Sequence, residues 1–120
     1  LNLEKSIIFR GRLDRDKRIE VYDSYNYYIL PSKSESFGIA ALEALSRGCK
    51  VFVSSNTPWN DFAHDNVIVF NPSSKEIYQA LKKDFISNNE VDRNTIEVES
   101  ALKKFDWKNI SKELDKIYSI

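Results

Sequence analysis

Two glutamates, Glu35 and Glu43, flank the run SFGIAAL, so that seven residues separate them. Ionised carboxylates only accept hydrogen bonds, and they suit the hydroxyls of a ligand. The residues between them suit something else. Ala40, Ala41 and the leucines favour a helix over residues 37–47, and Gly48 suits its stop. The first amides of such a helix, near Phe37, Gly38 and Ile39, lack helical acceptors, and with the helix dipole they form an anion site. Gly38 has no side chain to keep a ligand from the backbone.

Eight residues of helix advance about 12 Å, a span of the order of a nucleotide-sugar with its diphosphate in the middle. One acid would then meet sugar hydroxyls, the other ribose hydroxyls. A plainer reading stands beside this one. An acid near a helix start is favoured by the dipole alone, and Glu43 can be a solvated residue on the polar side. Spacing leaves both open.

The surrounding pattern would place this segment at a sheet edge. Residues 6–9 (SIIF), 27–30 (YYIL), 50–54 (KVFVS) and 67–70 (VIVF) read as four short strands. A helix over residues 16–25 follows the first strand, and the 37–47 helix joins the second to the third. Strands alternating with helices imply an α/β fold, a small Rossmann-like parallel sheet with flanking helices. In such sheets ligands bind outside the carboxyl ends of the strands, where residues 31–36 lie. NTPWN (residues 56–60) reads as a turn. Ser73 and Glu76 form a capping box for a helix running to about Ser87. Two amphipathic helices follow, near residues 92–104 and 107–118.

With 120 residues, 42% hydrophobic, the chain can build one modest core. Its charges cancel to a formal net charge of +0, so the electrostatic footprint of a general nucleic-acid binder is missing. One cysteine, Cys49, excludes an internal disulfide and fits a reducing, cytoplasmic setting. No apolar stretch reaches the ~20 residues of a membrane span. The sequence contains no methionine, which we read as a piece of a longer protein; trimming of a tag or a disordered start is the alternative.

Several segments together resemble a known family. IIFRGRL, then YDSYNYYILPSKSESFGIAALEALSRGCKVFVSS, then TPW follow in order the C-terminal domain of retaining GT-B glycosyltransferases of the family 4-like group (glycosyl transferases group 1). VIVFNPSSKEIYQALKK and FDWKNISKELDKIY resemble its closing helices more weakly. The resemblance implies that residues 1–120 form a partial nucleotide-sugar-binding domain, the C-terminal half of a GT-B fold, without the N-terminal acceptor domain. It implies hexose transfer with retention from a donor such as a UDP- or GDP-hexose to a glycan or lipid-linked acceptor. It places Glu35 at the donor sugar as the catalytic residue, and Glu43 at the ribose. Ser36, Phe37, Gly38 and Ile39 fall along sugar and diphosphate, with Arg12 and Leu13 near the nucleobase. It implies no metal and no other cofactor. Peripheral membrane association of the full-length enzyme is a further expectation, because many members act on lipid-linked acceptors. The family's basic pair for the diphosphate has no match here; Arg10, Arg12 and Lys33 are merely near the expected pocket. The alternative from another class is a non-catalytic flavodoxin-like binding or regulatory module, which gives Glu35 and Glu43 no joint role. Within enzymes the alternative is a phosphorylase-like or synthase relative.

The remaining residues read plainly. His64, in FAHDN, is a surface loop histidine rather than an acid–base group. Cys49 is a small buried residue rather than a reactive thiol. Trp59 lines the donor pocket or packs beneath its loop. Trp107 anchors the last helix, and the lysines of the last two helices form a solvated face.

Overall fold

The strand Lys50–Ser54 organises the fold, because all five of its residues are buried. The structure, a computed structural model, describes residues 3–62, 64–87, 91, 93, 99–100, 103 and 106–118, without the side chains of Asp61, Trp107, Ile110, Glu113 and Tyr118. Three strands, β1 (Tyr27–Leu30), β2 (Lys50–Ser54) and β3 (Val67–Phe70), form a parallel sheet in that order. The register pairs Tyr27 with Lys50 and Val51 with Val67. The helices whose full extent lies within the described residues are α1 (Arg15–Ser24), α2 (Ile39–Ser46), α3 (Ser74–Ile86) and α4 (Trp107–Tyr118).

Side chains alternate across a strand, so β2 feeds two layers. Val51 and Val53 meet Ala41, Ala44 and Leu45 of α2, with Trp59, Phe62 and Tyr22 around them. Phe52 and Lys50 point the other way. Phe52 stacks on Tyr27 (5.9 Å), which stacks on Phe85 of α3 (5.1 Å). Lys50 is paired with Asp84 of α3, their side chains only 8% and 4% exposed. Burial first, then the adjacent Asp84 carboxylate, hold the Tyr27 phenol above its usual pKa.

Local chemistry ends and starts the helices. The Ser73 side chain accepts from the Glu76 amide (3.2 Å), the expected cap. Asp14 does the same for α1, accepting from the Lys17 amide (2.9 Å). At the end of α2 the Gly48 amide donates to Leu45 O (2.9 Å) and the Cys49 amide to Ala44 O (3.0 Å). This Schellman arrangement needs the left-handed φ of 88° at Gly48. Cys49 is buried at 1% exposure, and burial pushes its thiol pKa up, as suits a packing residue.

The sheet departs from expectation at one strand. Residues 6–9 do not form a strand; a 3-10 turn occupies Glu4–Ser6, and Ile7, Ile8 and Phe9 are 51%, 68% and 94% exposed. A strand exists only through hydrogen bonds to a neighbour. Among the described residues nothing pairs with this segment, so the sheet has three strands rather than four. The expected helix near residues 92–104 lies mostly outside the described residues. The final helix forms as expected, with Leu114 and Ile117 exposed at 41% and 63%; the side chain of Trp107 lies outside the described residues.

The Lys50–Asp84 pair gives a direct test of how α3 is held. Removing one partner strands a buried charge, at a cost of about 3–5 kcal/mol, whereas an apolar pair of similar volume is close to neutral. Asp84→Ala should therefore shift the urea midpoint far down. Lys50→Met combined with Asp84→Leu should recover most of the loss.

Candidate functional site

β1 ends at Leu30, and the chain crosses the carboxyl edge of the sheet before α2 begins. The turn into α2 is set by Gly38, whose φ of 77° and ψ of 55° are left-handed. A Cβ there would lie 2.9 Å from Leu30 Cδ2 and 3.1 Å from Trp59 Nε1. Trp59 is 2% exposed and donates from Nε1 to the Phe37 carbonyl at 2.6 Å. It therefore packs beneath the loop. Thr57 shapes its turn, accepting from the Trp59 amide and donating to Ser54 O.

The helix consequently starts at Ile39, two residues later than residue 37, where the sequence suggested. A left-handed residue cannot continue a right-handed helix, so Phe37 and Gly38 stay outside. The first intrahelical bonds run from the Ala41 and Leu42 amides to Gly38 O (3.0 and 3.3 Å). The amides that precede this ladder at the helix start are those of Ile39 and Ala40. Ser36 is exposed, and the Ile39 side chain is 67% exposed. The helix entrance thus faces solvent.

Glu35 is half-buried just before this entrance, and its Oε1 accepts from Ser32 Oγ at 2.7 Å. Glu43 lies on the side of α2 that faces α1. Its Oε1 accepts from Arg18 Nη2 at 3.3 Å, and its Oε2 from the Tyr22 hydroxyl at 3.4 Å. Both bonds are longer than the usual 2.7–3.0 Å or so. The carboxylate is 38% exposed and borders a cavity of about 210 Å³ shared with Arg15, Arg18, Tyr22 and Ser46.

Tyr28 of β1 lies near both acids. Its phenol is held above the usual pKa by burial first, then by Glu35, then by Glu43. Tyr22 meets Tyr28 edge-to-face at 5.9 Å, and burial, then Tyr28 and Glu43, push its pKa up as well. Both phenols stay protonated and able to donate.

The sequence pointed to neither Arg18 nor Tyr28. Arg18 and Tyr22, four residues apart, share a face of α1, but that this face meets α2 is a tertiary fact. Arg93 was also missed. It donates to Tyr22 O (2.9 Å), Tyr25 O (2.9 Å) and Arg47 O (3.1 Å), closing the C-terminal ends of α1 and α2 together. Arg12 is exposed, and Leu13 borders a separate concavity of about 420 Å³ with Ile8, Phe9 and Lys17. His64 is half-buried rather than on the surface, its Nδ1 accepting from the Asn66 amide at 3.0 Å. A larger concavity, about 570 Å³, is an open groove between β3 and α3 past Phe70, Asn71 and Lys83. Its two acids, Glu76 and Asp84, both lie along α3, and Asp84 is already paired with Lys50, so chemistry favours the smaller region around α2. Among the described residues no three His, Cys, Asp or Glu side chains group as a metal site, and no helix is long and apolar enough to cross a membrane.

Comparison with known proteins adds three findings. The family model of glycosyl transferases group 1 matches residues 1–100. The chain is 26% identical over 132 aligned residues to an uncharacterized glycosyltransferase of Methanocaldococcus jannaschii, with 100% of this chain and 32% of that protein covered. It thus spans about a third of the length of that curated relative. Among solved structures, sucrose-phosphate synthase from Thermosynechococcus elongatus is similar at a TM-score of 0.77 and 20% identity, over 98% of this chain and 31% of that one.

The Gly38 turn can be tested by itself. Gly38→Ala forces a Cβ against Leu30 and Trp59 in a left-handed conformation, which should cost about 1–3 kcal/mol. Thermal unfolding should show a clear fall in midpoint, whereas Ser36→Ala, exposed at the same entrance, should leave it unchanged.

Proposed function

The chain belongs to the glycosyl transferases group 1 family, and from that premise we propose that it forms the donor-binding domain of a retaining glycosyltransferase. Its fold is the small Rossmann-like parallel sheet of a GT-B glycosyltransferase fragment. The proposed reaction transfers a hexose from a UDP- or GDP-hexose to a glycan or lipid-linked acceptor. The acceptor would be held by a further domain of the full-length protein.

One juxtaposition carries this reading: a helix start open to solvent at the carboxyl edge, with Glu35 before it and Glu43 along it. These parts suit donor binding. The Ile39 and Ala40 amides and the α2 dipole suit the diphosphate, whose negative charge grows as the sugar leaves. Gly38 presents bare backbone beside it. Glu35, steadied by Ser32, accepts from hydroxyls of the donor sugar. Glu43 accepts from ribose hydroxyls, and Tyr28 lies within the field of both acids. Family resemblance supports retention through the Glu35…Glu43 spacing.

The ribose role of Glu43 is directly measurable. Hydrogen bonds to a charged group contribute about 1.5–3 kcal/mol, so Glu43→Ala should weaken UDP or GDP binding by about tenfold to a hundredfold. The same change removes an exposed ion pair worth at most about 1 kcal/mol and adds a better helix former, so stability should hold nearly level. Calorimetric titration of the full-length protein reads the affinity. Equal affinity in wild type and mutant would remove Glu43 from the ribose.

A further inference from the structure

Glu43 already has two partners in the structure, and the way they hold it suggests a role for the first of them. An ionised carboxylate offers about four acceptor positions, two on each oxygen. Arg18 takes one on Oε1 and Tyr22 takes one on Oε2. Among the described residues one position on each oxygen stays open, which matches the two donors of a vicinal diol. The existing bonds, at 3.3 and 3.4 Å, are too long to compete strongly with hydroxyls at normal distance. Between them they limit how the carboxylate can swing.

Arg18 can do this only if α1 is fixed against α2, and three features fix it. Asp14 caps the start of α1. Asp23 grips Arg47, the C-cap of α2, through two bonds of 2.7 and 2.6 Å. Arg93 then donates to carbonyls at the ends of both helices. Arg18 therefore approaches Glu43 from a set direction, across a cavity of about 210 Å³ with room for solvent or ligand hydroxyls.

We propose that Arg18 is a positioning residue: it orients the Glu43 carboxylate so that one free site on each oxygen faces the ribose diol. This rests on the ribose role proposed for Glu43. Arg18 makes no contact with the nucleotide itself. It lowers the ordering cost of binding by holding a flexible acid in its bound direction beforehand.

The test uses the full-length protein titrated with UDP and GDP. An exposed pair of this kind should give Arg18→Ala a loss of about two- to fivefold, with an unchanged melting temperature. Arg18→Lys, which still donates, should recover part of it. The loss should vanish in a Glu43→Ala background. It should also vanish for the 2′,3′-dideoxy analogue of whichever nucleotide binds, since that analogue lacks the diol. An equal loss with the dideoxy analogue, or an additive loss in the Glu43→Ala background, would overturn the proposal by showing that Arg18 acts on phosphate, base or fold. Unchanged or tighter binding in Arg18→Ala, with Glu43→Ala still weakened, would overturn it alone. A silent Glu43→Ala would instead overturn the ribose reading, and this inference with it.

Discussion

The hydrogen bond from the Trp59 indole to the Phe37 carbonyl is the constraint on which the site depends. It seats a buried ring directly under Gly38. With no room for a Cβ and a left-handed backbone, Gly38 ends the loop and lets α2 begin one residue later. That fixes which amides open the helix. It also leaves Glu35 on the loop and turns Glu43 toward α1. Trp59 itself belongs to the 3-10 turn Pro58–Asp61 that follows β2. The central strand thus shapes the site twice, through α2 packed on its face and through the turn at its carboxyl end.

Much of this was legible in the sequence. The runs YYIL, KVFVS and VIVF each form the strand expected, because short β-rich segments bounded by turn residues allow little else. Ser73 and Gly48 mark helix ends by local chemistry, and both do so in the structure. What escaped depended on distant partners. IIF in residues 7–9 has strand composition, yet the described residues supply no neighbour for it. The start of α2 moved because the φ of Gly38 is dictated by Trp59, 21 positions later. Arg93 reaches Tyr22 O across 71 positions, and no local pattern signals that.

Glu43 shows the limit most clearly. The family resemblance places it at a ribose. In the structure it is partly exposed and paired with Arg18 and Tyr22, so its polarity has a structural use as well. The two uses are compatible, because a carboxylate with two loose partners retains acceptor sites. The family membership gives weight to the ligand. The geometry brings α1, which carries no acid of the pair, against Glu43.

Binding of a nucleotide-sugar along the start of α2 is tested most directly by a crystal structure of the full-length protein with UDP or GDP bound. Diphosphate oxygens should lie within hydrogen-bonding distance of the Ile39 and Ala40 amides and ribose hydroxyls on Glu43, with Arg18 and Tyr22 still in place. A nucleotide lodged elsewhere, for instance in the groove between β3 and α3 beside Asn71 and Lys83, would contradict it.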